Sequence, residues 1–466
     1  MLTYNLMEIE GSLYENLYRL IKEDIYSGKL KPNEKMPSKR MFATNLGVST
    51  ITVENAYEQL ISEGYIYSKP KVGYFVSEIS NIPKAKTQEK ISLNIDTGNK
   101  EEDIFFDFST NRIDAENFPF SIWAKILRDL ISNHESDLME MSPSTGIRKL
   151  REAIAEHLYS FRGMSVDPDQ IIVGAGTEYL YGLLIKLLGK DRLYCVENPG
   201  YKKLFDIYKS YGVKCRLANV DSDGLMVSEL RKTGAEIAHT SPNHHFPTGI
   251  SMPIKRRYEL LAWAGEKEER YIIEDDYDSE FRLNGKPIAP LQSIDENEKV
   301  IYMNTFSKTL ASTIRISYMV LPPHLAKQYF EKLSFYSCTV STFEQHTLAT
   351  FIREGYLEKH INRMRLYYGK KRARVLELLK STLDGECRVI ENDSGLHFLM
   401  ELKTDLSDEV IKEKLRKKGI KIVAVTDYDM SGKAKDNHRF ILNYTNIDEG
   451  KLAEALNIVK QIMDNA

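Results

Sequence analysis

"TFSKTLASTIRISY", Thr305 to Tyr318, overlaps the end of an apolar run, "KVIYMNTF", and puts a lysine, Lys308, just past it. A run of β-branched and aromatic residues reads as a strand, and the hydroxyl residues after it mark its end. Arg315 stands at the start of the next apolar run, "ISYMVL". A lone lysine at a strand end is by default a solvated surface residue. "SKT" also matches the end of a P-loop, but the upstream glycines of G-x-x-x-x-G-K-[ST] are missing. The role of Lys308 therefore turns on what the rest of the chain brings to it.

Working outward, helical stretches such as "GIRKLREAIAEHLYSF" alternate with short apolar runs. These are "QIIVGAG", "RLYCV", "EIAHTSP", "YIIEDDY", "VIYMNTF" and "ISYMVL". The alternation predicts an α/β domain with a mostly parallel sheet. From about Val340 the helices alternate with "GLHFLMEL", "IKIVAV" and "RFILNY", which predicts a smaller C-terminal α+β lobe.

Four features fall where they can serve Lys308. "VGAGTEYL" ends a strand and opens a helix, so backbone N–H groups at Ala175, Gly176 and Thr177 can meet a phosphate. It lacks the third glycine of a dinucleotide fingerprint. Arg315 can pair with the same dianion, and Thr305 and Ser307 can add hydroxyl donors. "YIIEDDYD" sets carboxylates at a strand end, where one could hold a cationic ring nitrogen, cap a helix or bind a metal. "NPGYKKL" offers Tyr201 on a loop as a stacking face or as ordinary packing. Together they describe a pyridoxal 5′-phosphate site, with a Schiff-base lysine, a ring carboxylate, a phosphate cup and an aromatic lid.

The front of the chain has a different pattern. Leu13, Leu17, Leu20, Ile21 and Ile25 recur at helical spacing, with a stop near Gly28. Ser38 caps a second helix that ends at Leu46-Gly47, and Ser49 caps a third that runs to Gly64. Val53, Ala56, Tyr57 and Leu60 form its apolar stripe. "YIYS" and "GYFVS", joined through Lys69-Pro70-Lys71-Val72, then predict a hairpin. This is a winged helix–turn–helix, which suits a helix in the major groove of DNA. Residues 1–80 hold nine Lys/Arg against ten Asp/Glu, so the charge for phosphate contact is local. Lys29, Lys31, Lys35, Lys39 and Arg40 gather near the second helix, and Lys69 and Lys71 sit at the wing. A protein-binding helical module is the bland alternative.

The chain thus reads as a head at 11–79, a polar linker at 80–104 and a body at 105–466. Its formal net charge of −3 gives no global bias toward nucleic acid. Its four cysteines form no C-x-x-C, which argues against a zinc site or disulfide framework and fits a reducing cytoplasm. No signal peptide and no apolar run of spanning length is seen, so a soluble cytoplasmic protein with no membrane and no metal is expected.

"MPSKRMFATNLGVSTITVENAYEQLISEGYIYSKPKVGYFV" resembles the GntR family of bacterial regulators. That resemblance implies DNA contacts from Ser38, Arg40, Ser49, Thr50, Thr52 and the wing around Lys71-Val72-Gly73, with Lys39 as a phosphate partner. The body resembles the fold-type I aminotransferases through "SPSTGIRKLREAI", "GAGTEYLY", "NPGYKKL", "HFPTG", "IEDDYDSEF" and "TFSKTLASTIRISYMVLP". Head and body together resemble the MocR/GabR regulators. The resemblance implies that Lys308 forms the Schiff base, Asp275 pairs with the pyridine nitrogen and Tyr277 with the ring hydroxyl. Gly176, Thr177, Thr305, Ser307 and Arg315 would hold the phosphate, and Tyr201 would stack on the ring. It also implies a head-to-tail homodimer. Three positions depart from the pattern. Met141 replaces a tyrosine, Phe246 replaces the asparagine of "HNPTG", and Ile441 falls where an arginine for a substrate carboxylate is usual. Arg439, one strand repeat earlier, and Lys203 are the substitute candidates.

The leading expectation is a transcriptional regulator that binds operator DNA and pyridoxal phosphate and senses an amine, an amino acid or the cofactor itself. A working aminotransferase with an attached head is the alternative. A body that only scaffolds a dimer is a third, disfavoured by the intact Lys308, Asp275 and Arg315.

Overall fold

The computed structural model describes residues 2–6, 11–79, 93, 103–109, 115–283, 288–390 and 395–464. The chain divides into two compact units, residues 1–100 and 101–466. Of the expected linker, all but Leu93, Asp103 and Ile104 lies outside the described residues.

The first unit has helices α1 (Leu13–Tyr26), α2 (Lys39–Leu46) and α3 (Thr50–Ser62), then strands β1 (Ile66–Lys69) and β2 (Gly73–Val76). The Ser38 hydroxyl accepts from the Met41 amide and the Ser49 hydroxyl from the Thr52 amide, so both caps form. The first and third helices end two residues before Gly28 and Gly64. These glycines take φ of 74° and 77° and turn the chain out of the helix. Leu17, Ile21, Val53, Ala56, Tyr57 and Leu60 are fully buried, and β1 and β2 pair antiparallel to form the wing.

The second unit begins with a short strand, β3 (Phe106–Asp107), and is built on an eight-stranded sheet. Its strands are β4 (Ile171–Gly174), β5 (Leu193–Asn198), β6 (Lys214–Asp221), β7 (Gly224–Leu225), β8 (Ile237–Thr240), β9 (Tyr271–Asp275), β10 (Val300–Thr305) and β11 (Ser317–Val320). They lie in the order β4-β11-β10-β9-β8-β5-β6-β7. The run from β10 to β6 is parallel, and β11 is antiparallel to both its neighbours. Both faces are covered. Along β10, Ile301 and Met303 pack into one cluster, while Tyr302 packs into another on the opposite face. That is why these strands read as continuous apolar runs instead of alternating ones. The strand β6 lacks that signal because it lies toward the sheet edge and alternates exposed with partly buried residues.

The C-terminal lobe has an antiparallel sheet of β12 (Cys387–Ile390), β13 (His397–Leu402) and β15 (Arg439–Asn443). It packs with the helices Tyr356–Thr382 and Glu449–Asp464 around Phe398, Met400, Phe440 and Leu456. The run "IKIVAV" supplies only a two-residue strand, β14 (Ile420–Lys421), which pairs with β3. It then turns into a 3₁₀ turn at Val425–Tyr428.

Candidate cofactor cavity and nucleic-acid interface

Parallel strands present their carboxyl ends on one edge of the sheet, and ligands of such sheets bind there. Here β4 delivers Gly176 and Thr177, β5 delivers Tyr201 and Lys203, β9 delivers Asp275 and Tyr277, and β10 delivers Thr305, Ser307 and Lys308. The antiparallel β11 brings Arg315 to the same edge from its amino end. All ten line one cavity of about 300 Å³.

Asp275 closes the cavity floor. Its Oδ2 accepts from Tyr181 Oη at 2.7 Å and lies 3.6 Å from His239 Nε2. Tyr208 Oη and His239 Nδ1 are 2.6 Å apart and fix the imidazole. The other carboxylate oxygen, Oδ1, is buried and has no hydrogen-bond partner among the described residues. A buried acceptor without a donor is costly, so this atom is set for a donor that those residues do not supply. Its neighbour Asp276 points away from the cavity. It pairs with the buried Arg162 and accepts from Tyr302 Oη at 2.7 Å and Asn243 Nδ2 at 2.9 Å.

Lys308 is half-buried. Burial pushes its ammonium down to about 8, against an upward pull from Asp278. Asp278 is itself engaged by His244 Nδ1 at 2.9 Å, and Tyr277 Oη reaches the same nitrogen at 3.2 Å. A lysine lowered this far carries a reactive neutral-amine fraction at physiological pH that an ordinary lysine scarcely has.

The opposite end is built for an anion. The helix Thr177–Leu188 starts at Gly176, whose φ is 91°. A Cβ at Gly176 would stand 2.6 Å from Arg315 Nη2, so only glycine lets the guanidinium approach the helix start. Arg315 itself has φ of 53°, a strained conformation for a non-glycine residue. Glu178 binds Lys203 and lies 3.7 Å from Arg315, and the Lys203 hydrogen bond holds its carboxyl below the usual range. The Thr305 hydroxyl caps Ser307 N and accepts from Ser317 Oγ.

The unpartnered Asp275 Oδ1, the lysine of lowered basicity and the glycine-arginine cradle fit pyridoxal phosphate: a ring N–H, a carbonyl carbon and a phosphate.

Several lining residues were not in the sequence reading: Tyr181, Glu197, His239 and Ser312. Tyr181 lies four residues after Thr177, one turn along the same helix face, and that spacing was the available signal. Glu197 and His239 interrupt apolar strand runs as buried polar residues. Glu197 accepts from Thr240 Oγ1 and from Ser241 N at 3.1 Å, and burial pushes its carboxyl up to about 7.

Arg439 does not join the others. It opens β15 on an exposed position, pairs with Glu401 at 2.9 Å and is absent from the cavity lining. Strand alternation does place it on the side of Ile441, but two residues farther out, where the strand meets solvent. Ile441 is buried with Leu399 and Val425, and Phe246 packs against them. Met141 is exposed.

In the head, Ser38, Arg40, Ser49, Thr50 and Lys71 are exposed. Ser49 Oγ and Thr52 Oγ1 lie 2.8 Å apart, so the two hydroxyls share one hydrogen bond. Lys71 has φ of 60° and follows Pro70 in a turn closed by Val72 N to Lys69 O at 3.0 Å. Gly73 leaves room for the Lys35 side chain, whose Cε would stand 3.2 Å from an added Cβ. Lys39 is less available than expected: it binds Glu54 at 2.6 Å and lies over the Tyr74 ring.

Residues 103–459 match the family model "aminotransferase class I and II", and residues 13–76 match "bacterial regulatory proteins, gntR family". The HTH-type transcriptional regulator YdeL of Bacillus subtilis is 38% identical, with 89% of each chain covered. The probable rhizopine catabolism regulatory protein MocR of Rhizobium meliloti is 30% identical over 96% of this chain and 93% of its own. Among solved structures, Pyrococcus horikoshii kynurenine aminotransferase superposes with a TM-score of 0.69 at 26% identity. That match covers 78% of this chain and 92% of the enzyme.

Proposed function

The chain belongs to the MocR-type regulators, a gntR-type head joined to an aminotransferase class I and II body, and from that premise we propose how this one works. It is a DNA-binding transcriptional regulator whose fold implies pyridoxal phosphate. In our reading the head, residues 11–79, grips operator DNA, and the body, residues 105–466, holds the cofactor and senses a small ligand.

Lys308 is the residue that joins the cofactor covalently. Asp275 receives the ring N–H on Oδ1, Tyr277 faces the ring hydroxyl and Tyr201 covers a ring face. Arg315, with the amides and hydroxyls of Gly176, Thr177, Thr305 and Ser307, holds the phosphate. When bound, the cofactor supplies an electrophilic carbon that accepts amines. Tyr181 and His239 hold the Asp275 carboxylate in place, and Asp278, itself held by His244, stands near enough to Lys308 to act on its charge. The one observation that carries this reading is the meeting of ten residues from five strand ends on a cavity whose floor has an unpartnered carboxylate oxygen.

Lys203 faces the ligand end. An amine, an amino acid or the cofactor itself is the signal. It regulates only by favouring one arrangement of two heads in a head-to-tail homodimer, because equal affinity for both arrangements shifts nothing. Ser38, Arg40, Ser49, Thr50, Thr52, Lys71 and Gly73 form the DNA face, with Lys39 in a supporting place. A cytoplasmic setting follows from that role.

Borohydride reduction of protein loaded with pyridoxal phosphate, followed by peptide mass spectrometry, tests the site. The expected result is a pyridoxyl group on Lys308 alone; a label on any other lysine sinks the assignment.

A further inference from the structure

We propose that the effector cavity selects primary amines that carry no carboxylate. This rests on the cofactor reading above and names the ligand class of that same site.

The argument is one of charge. Among the described residues, the cavity is lined by three cationic side chains, Lys203, Lys308 and Arg315, and by three acidic ones, Glu178, Glu197 and Asp275. Each cation is already committed. Lys203 and Arg315 share Glu178 as counter-ion. Lys308 is the nitrogen that joins the cofactor. A phosphate on the Arg315 side then adds negative charge to a cavity with no surplus of positive charge. A carboxylate brought in beside it is a desolvated anion without a partner, which is costly.

Two neutral donors, the Thr240 hydroxyl and the Ser241 amide, are already engaged by Glu197. Arg439 is held outside by Glu401. Beside Ser241 and Ser312, the rest of the lining offers an apolar and aromatic stretch of Val196, Leu204 and Phe246. Phe246 lines the cavity and packs edge-on against Tyr428 at 4.9 Å and Tyr201 at 6.2 Å. Behind it stand Leu399, Val425 and Ile441. His397, against Phe246 at 5.4 Å, is pushed down to about 3 by burial and brings no charge at neutral pH. A hydrocarbon tail matches this wall, and an ammonium approaching from solvent meets Lys203 and Arg315 with their charge already partly offset by Glu178.

Matched pairs test the proposal: 2-phenylethylamine against L-phenylalanine, and 3-methylbutylamine against L-leucine. Each is titrated into the cofactor-loaded full chain by calorimetry and by the cofactor's visible absorbance. The amine of each pair should bind about tenfold or more tightly, the scale of one unpaired buried charge after partial solvation. An amino acid that binds as tightly as its amine overturns the inference and leaves the cofactor reading standing. If borohydride finds no cofactor on Lys308, the reading itself fails and the inference falls with it. Glu178→Gln adds a second arm. Freeing Lys203 and Arg315 should narrow the gap between amine and amino acid severalfold, and an unchanged gap overturns the charge argument.

Discussion

The head and the cavity both gather cations, and they use them in opposite ways. In the head Lys35, Arg40, Lys69 and Lys71 are exposed and form no ion pair with any described residue. Around the cavity several charges are tied to named partners: Glu178 to Lys203 and Arg315, and Asp275 to the Tyr181 hydroxyl. A polyanion with a repeating charge is met by many weak, additive contacts that salt can screen. A single small ligand is met by a few atoms held in place by neighbours. Removing one contact should therefore lower head function in steps and break cavity function outright.

The largest effect is expected at Lys308. Lys308→Ala should abolish covalent attachment of the cofactor and its visible band while leaving the thermal transition close to that of the parent. A retained band would break the contrast at its centre. Asp276→Ala comes next, because it strands the buried Arg162, whose Nε and Nη1 already lack partners. Breaking such a pair costs about 3–5 kcal/mol, read as a drop in the unfolding midpoint in urea. Asp275→Asn, one residue away, should spare that midpoint. It should weaken cofactor affinity by roughly tenfold to a hundredfold, as loss of a charged hydrogen bond of about 1.5–3 kcal/mol implies. Equal stability losses at 275 and 276 would mean that the two carboxylates do not divide the work.

A smaller effect concerns pH. The nucleophile is the neutral amine, and burial brings Lys308 down to about 8. At pH 7 roughly a tenth of it is then neutral, against well under a thousandth for an ordinary lysine. The rate of cofactor attachment should rise with pH and level off above about 8. A rate that keeps climbing to pH 10 would show an unperturbed lysine.

Much of this contrast was legible in the sequence. Strand ends are marked by a change from apolar to polar residues, so Lys308, Gly176 and the carboxylates of "YIIEDDYD" could be placed from the pattern, while the choice of Asp275 and Tyr277 came from the family resemblance. Helix caps have local chemistry, and Ser38 and Ser49 followed from it. What escaped is what depends on packing between distant elements. Helical spacing sets Tyr181 on the face of Thr177, but its partner Asp275 lies 94 positions away and spacing along one helix does not name it. Arg439 failed for a related reason: alternation fixes the side of a strand but not where the strand leaves the site. Lys39 looked like its neighbour Arg40 until Glu54, fifteen positions on, turned out to hold it.

That last pair gives the smallest and most discriminating test of the comparison. Lys39 and Arg40 are adjacent cations at the start of α2, one paired and one with no ion-pair partner among the described residues. If exposed, unpaired charge is what the head offers to DNA, the two should differ although their sequence positions scarcely do. Arg40→Ala should weaken binding to operator and to random duplex alike and lower the slope of log affinity against log salt by about one. Lys39→Ala removes a charge that Glu54 already offsets, so its slope should change by clearly less. Its main effect should fall on the packing of α2 against α3 and Tyr74, read as a small loss of stability. Equal salt slopes for the two variants would mean that Glu54 releases Lys39 when phosphate arrives, and that the head resembles the cavity more than this contrast allows.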